Sequence, residues 1–145
     1  MTKDVLITIR GIQKMNGDSN EDEPIETITP GEYYFRNGKH YILYEEVQEG
    51  MTEATKCMIK IGADSVDLSK KGASGVHMVF QKDKKTRTSY QTPYGSLMLG
   101  FDSRVIRVLE AEDTLHLKLE YDLEVDDEHL AECSLSMKVQ AKRKK

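Results

Sequence analysis

The sequence predicts an all-β protein folded as a closed antiparallel meander barrel, and three observations predict it. Apolar and polar residues alternate with period two along most of the chain, which sends successive side chains to opposite faces of a strand. The alternating segments recur at roughly 8–12-residue spacing, with turn residues between them. The last two form a hairpin with arms of about eleven residues, which suits a meandering barrel better than a sandwich of short strands. One-sided alternation means an antiparallel sheet with one wet face. Ten or eleven such strands in one small domain must close on themselves to hide their edges.

The first strand is Val5-Leu6-Ile7-Thr8-Ile9, running on through Ile12. A loop of like charges follows, Asn16 to Pro24, which lacks the ligand spacing of a calcium loop and reads as a mobile connector. Ile25 to Thr29 is a short strand broken by Pro30-Gly31.

The clearest local element is the hairpin from Glu32 to Tyr44. Asn37-Gly38 supplies two residues that tolerate positive φ, as a type I′ turn requires, and β-formers flank it. A two-residue loop fixes the register, so Arg36 faces Lys39, Phe35 faces His40, Tyr34 faces Tyr41 and Tyr33 faces Ile42. The buried face is then Tyr33, Phe35, His40, Ile42 and Tyr44. The wet face carries Glu32, Arg36, Lys39 and Glu45 with Tyr34, Tyr41 and Leu43.

Glu45 to Lys56 reads as a loop or short helix. Short strands follow at Cys57–Ile61, Ser65–Leu68, Val76–Phe80, Thr86–Tyr90, Leu97–Phe101 and Val105–Leu109, with Thr92-Pro93-Tyr94-Gly95 as a turn. In the last hairpin, Leu115, Leu117, Leu119, Tyr121, Leu123 and Val125 alternate with polar residues, and Ala131, Cys133, Leu135, Met137 and Val139 do the same after Asp126-Asp127-Glu128. A helix would scatter those positions; a strand puts them on one face.

The 145 residues are 38% hydrophobic and 32% charged, with no Trp, a composition that excludes collagen, a helical membrane protein and a wholly disordered chain. Such a lean core fits a single closed sheet, half of whose side chains face water. The net charge is −4, but Lys142 to Lys145 are all basic; the other 141 residues carry 17 basic and 25 acidic side chains, a net of −8. Residues 1–141 are expected to form one barrel domain and 142–145 a solvated basic tail. An acidic body is a poor footprint for nucleic acid, and no nucleic-acid or membrane partner is expected. The apolar stretch after Met1 is too short for a signal peptide core, which points to the cytoplasm. Cys57 and Cys133 lie in separate strands without metal spacing and read as reduced, buried thiols.

The segments Gly31 to Glu46, Thr92-Pro93-Tyr94-Gly95 and Leu119 to Leu123, together with Val5 to Gly11, resemble the YwiB-type family of bacterial β-barrel proteins, a domain of unknown function grouped with the calycins. The resemblance spans nearly the whole chain and implies a lipocalin-like barrel. It carries no established activity, cofactor or catalytic residue. Without Trp the chain lacks the Gly-x-Trp signature of the secreted lipocalins.

Phosphate-cradling glycine loops, His-Glu-x-x-His and Gly-x-Ser-x-Gly are absent, and the four His residues are scattered. No catalytic residue, metal or cofactor is expected. His40 is the exception worth following, an imidazole on the inward face beside Phe35. With Tyr33, Tyr44, Thr88, Tyr90 and Tyr121 inward and Tyr94 as a lid at the mouth, it forms an amphipathic lining for a small molecule with one polar end. Arg87 faces out if Tyr90 faces in. The leading expectation is a non-enzymatic carrier of a small, partly apolar ligand. The alternative is an interaction or scaffold module, a homodimer included, that uses Tyr34, Tyr41 and Leu43 on its outer face. An enzyme would show His40 bonded to a carboxylate such as Glu45 or Glu46.

Overall fold

A computed structural model describes residues 3–15, 25–46, 54–71, 76–92 and 94–142. Ten strands follow one another: β1 (Asp4–Met15), β2 (Ile25–Arg36), β3 (Lys39–Glu46), β4 (Thr55–Ile61), β5 (Ser65–Lys71), β6 (Val76–Gln81), β7 (Lys85–Thr92), β8 (Gly95–Glu110), β9 (Thr114–Val125) and β10 (Glu128–Ala141). Every ladder is antiparallel, and the sheet order is β6-β5-β4-β3-β2-β1-β10-β9-β8-β7. Consecutive strands are therefore neighbours throughout, and the β1–β10 ladder brings the two ends of the meander together. Among the described residues, β6 and β7 are the one consecutive pair without a ladder. Their turn is closed by Lys84 N–H donating to Gln81 O at 3.1 Å, and the Thr86 hydroxyl donates to Val79 O across the seam. The result is a nearly closed barrel, with the turns at 37–38, 62–64, 82–84 and 111–113 at one end, called lower here, and the 126–127 turn at the upper end.

The hairpin at Asn37-Gly38 folds as the sequence dictates. Asn37 and Gly38 have φ of 54° and 74°, and the four cross-strand pairs from Arg36↔Lys39 to Tyr33↔Ile42 follow in the expected register. Tyr33, His40, Ile42 and Tyr44 are buried, but Phe35 is 59% exposed. It points to the inner face at the lower rim, where no further layer covers it; its ring still stacks 5.0 Å from that of His40.

Two segments differ from the sequence reading. β2 is not broken at Pro30-Gly31 but runs through both, because the β2–β3 ladder ends at Glu32↔Leu43, leaving Pro30 on a stretch laddered only to β1. The segments 97–101 and 105–109 are one strand, β8, joined by a bulge between Ser103 and Val105. The bulge flips the parity: Phe101 and Ser103 are buried before it and Ile106 after it.

Inward side chains fill the lower and middle barrel. Val5, Ile7, Ile42, Ile61, Leu115, Leu117, Leu119, Met137 and Val139 are at most 2% exposed. Burying each Leu or Ile side chain stabilises the barrel by about 1.5–3 kcal/mol. Phe80, Phe101 and Tyr121 form an aromatic trio at mid-height, with ring centroids 4.8–5.8 Å apart. The loop 16–24, most of the 45–56 connection, Pro93 and residues 143–145, on which the connector, loop-or-helix, turn and tail readings fall, lie outside the described residues. Cys57 and Cys133 are free thiols.

Candidate functional site

Above the aromatic trio the packing changes. Along β9, Leu115, Leu117 and Leu119 are buried, whereas Tyr121, Leu123 and Val125 on the same face are half-buried. Along β10, Met137 and Val139 are buried and Leu135 and Cys133 are half-buried, while the small Ala131 beyond them is buried again. These inward apolar residues border a cavity of about 430 Å³, floored by Phe101 and walled by Met78, Leu99, Tyr121, Leu123 and Leu135, with Cys133, Gln13 and Ser134 at its edge. The volume falls in the range of small-molecule sites. The strands supply the wall because the alternation of β8, β9 and β10 continues past the point where opposing side chains can meet.

The cavity's polar groups are few. Burial pushes the Tyr121 phenol and the Cys133 thiol, which face each other across the β9–β10 ladder, above their ordinary values. Both therefore stay neutral at physiological pH, giving the site hydrogen-bonding capacity without charge. The chemistry it can support is retention of an uncharged, largely apolar body with one hydrogen-bonding end.

Of the residues singled out in the sequence, the structure places only Tyr121 on this cavity. Tyr33 and His40 are packed in the lower barrel, where the Tyr33 hydroxyl and His40 Nδ1 are hydrogen-bonded at 2.6 Å. His40 Nε2 lies 3.7 Å from Glu110 Oε1, not beside Glu45 or Glu46. Tyr44 sits over Cys57 at a separate depression of about 610 Å³, where β3 parts from β2, and burial raises both its phenol and the Cys57 thiol. Thr88 and Tyr90 are half-buried on β7 and do not border the upper cavity. Tyr94 stands at the upper end and is 99% exposed, and it does not border the upper cavity. Arg87 faces outward and pairs with Asp127 at 3.2 Å. Among the described residues, no three His, Cys, Asp or Glu side chains gather as a metal site.

The wall residues Met78, Leu99, Leu123 and Leu135 were not singled out as a site. Their inward direction was legible in the alternation, but their incomplete burial depends on how ten tilted strands close, which no local pattern encodes. On the outer face, Tyr34, Tyr41, Leu43 and Met58 surround a shallow depression of about 300 Å³, with Lys3 over the Tyr34 ring and Lys60 over the Tyr41 ring.

Comparison with known proteins agrees with this architecture. A family model described as a domain of unknown function (DUF1934) matches residues 7–137. The chain is 27% identical over 128 residues, 88% of each chain, to the "Uncharacterized beta-barrel protein YwiB" of Bacillus subtilis (strain 168). It also superposes on the crystal structure of the ywiB protein from Bacillus subtilis with a TM-score of 0.77 and 24% identity, covering 99% of this chain and 96% of that one.

Proposed function

The chain belongs to the DUF1934 family of β-barrel proteins, and from that premise we propose that it is a non-enzymatic binding protein of the cytoplasm, holding a small, partly apolar molecule in the upper lumen. The observation that carries this reading is the change along β9 from fully buried to half-buried inward residues, with Leu135 and Cys133 half-buried beside them on β10, at the edge of a 430 Å³ cavity. A protein that needed only stability would extend its core packing upward, since each exposed Leu forgoes its transfer free energy. A concave apolar wall with a few neutral polar groups is what a calycin-like carrier presents to its ligand.

The test uses an environment-sensitive apolar fluorophore, together with native mass spectrometry of gently purified protein. Probe emission should rise on binding, and filling the cavity with Leu123→Trp or Leu99→Trp should abolish the rise while leaving the far-UV circular dichroism spectrum unchanged. Bound probe should also slow alkylation of Cys133 relative to Cys57. Probe binding that survives both filling substitutions would overturn the assignment.

A second reading rests on the outer depression around Tyr34 and Tyr41, where aromatic faces flanked by cations suit a protein partner. Unchanged solution mass and partner capture in a Tyr41→Glu variant would count against it.

A further inference from the structure

The body of the chain is acidic overall, but its charges are not evenly spread over the barrel. On the outer face, the ladders place two rows of side chains side by side. One row reads Ile28, Thr8, Lys138, His116, Leu109 across β2, β1, β10, β9 and β8; the next reads Glu26, Arg10, Ser136, Lys118, Arg107. Residues two apart on a strand share a face, so the ten positions form a continuous patch. It holds four permanent cations and one imidazole against a single carboxylate.

The patch is concave. Thr8, Arg10, Arg107, His116, Lys118 and Lys138 border an outward groove of about 470 Å³, with Ser136 and Glu26 also on its lining. Arg10, Arg107 and Lys138 pair with no described carboxylate; Lys118 lies 3.7 Å from Glu120. Lys118 stands directly opposite Arg107, whereas Arg10 stands opposite Glu26. Like charges directly opposite one another weaken a sheet. The Lys118–Arg107 pair therefore costs the sheet some stability, a cost that an anion held between the two cations would offset.

From this geometry we propose that the outer groove over β1, β10, β9 and β8 binds a compact anion carrying two or more linked phosphate groups. Arg10 and Arg107 stand three strand spacings apart, about 14 Å between backbones. Both border the groove with Ser136 and Lys118 between them in the ladder, a span that suits an anion longer than a single phosphate. Arginine forks grip phosphate oxygens two at a time, Lys118 and Lys138 add point charge, and the Thr8 and Ser136 hydroxyls on the lining can donate as well. Among the described residues the groove has no Phe, Tyr or Trp ring on which successive bases could stack, which disfavours single-stranded nucleic acid.

The test is calorimetric titration with inorganic tripolyphosphate at low ionic strength. Saturable one-to-one binding that weakens with added salt is expected. The Arg10→Ala/Arg107→Ala variant should lose at least about tenfold in affinity, while Arg36→Ala, which removes an exposed cation elsewhere, should not. Both variants are checked for native circular dichroism, and Arg10→Lys/Arg107→Lys, which keeps the charge, should bind with intermediate affinity. The lumen-filling Leu123→Trp variant should bind tripolyphosphate normally, separating this site from the lumen. Absence of saturable binding, equal loss in Arg36→Ala, orthophosphate binding as tightly as tripolyphosphate, or displacement by duplex DNA with affinity that grows with duplex length would each overturn the proposal.

Discussion

His40 shows at the scale of one residue how a polar group survives inside this barrel. Its Nδ1 is satisfied by the Tyr33 hydroxyl at 2.6 Å and its ring is covered by Phe35, so the interior position leaves no orphaned donor or acceptor on that side. The buried phenols impose a pH limit. Burial raises the Tyr44 and Tyr121 phenols above the ordinary value of 10.0. The folded chain thus keeps protons that the unfolded chain releases above that value. Their contribution to stability is complete below about pH 10 and falls as the pH climbs further. Denaturant titrations from pH 8 to pH 11 should show this alkaline loss, and Tyr121→Phe should flatten it; a pH-independent midpoint would contradict the assignment. The same residues mark what could be read in advance. His40 and Tyr33 were recognisable as an inward pair because a two-residue turn fixes their register, whereas the Glu110 contact joins β3 to the end of β8 through tertiary closure alone.

At the scale of the element, β2 repays attention because its sequence looks interrupted and its structure is not. Pro30 and Gly31 are turn residues in most contexts, and from the sequence they divide the strand. Gly31 is there for space: a Cβ at this position would meet Ile7 Cδ1 and lie 2.6 Å from Leu43 O. The carbonyl belongs to the β3 backbone and cannot yield. Gly31→Ala should therefore cost about 1–3 kcal/mol, seen as a lower denaturation midpoint; an unchanged midpoint would show that β2 and β3 separate freely there. β8 teaches a related lesson. Its apparent division at Asp102-Ser103-Arg104 is a bulge, and a local break in alternation looks alike whether the strand ends or only shifts phase.

For the whole molecule, the two halves of the lumen should respond differently to the same change. Leu119 is 2% exposed in the packed lower half, and Leu123 is half-buried beside the upper cavity on the same strand face. Leu119→Ala should cost about 2–5 kcal/mol, within the range for fully buried leucines, and Leu123→Ala clearly less. Equal losses in thermal or chemical denaturation would mean that the upper lumen is packed as tightly as the lower. The meander and the inner faces were legible because period-two alternation is local. The position of the cavity and the cationic groove were not, since each joins residues from five or more strands whose alignment arises only on closure.

The β1–β10 ladder also decides how the barrel answers tension. Val5 pairs with Ala141, and Lys142 N–H donates to Asp4 O at 3.0 Å, so these two antiparallel strands meet at the same lower end. A pull between Asp4 and Ala141 loads one cross-strand pair at a time and peels the strands apart at low force. A pull between Gln13 and Ala141 loads the intervening pairs together in shear. The same barrel is therefore mechanically soft along one axis and stiff along another, and its direction of weakness is set by which ends of two neighbouring strands are held.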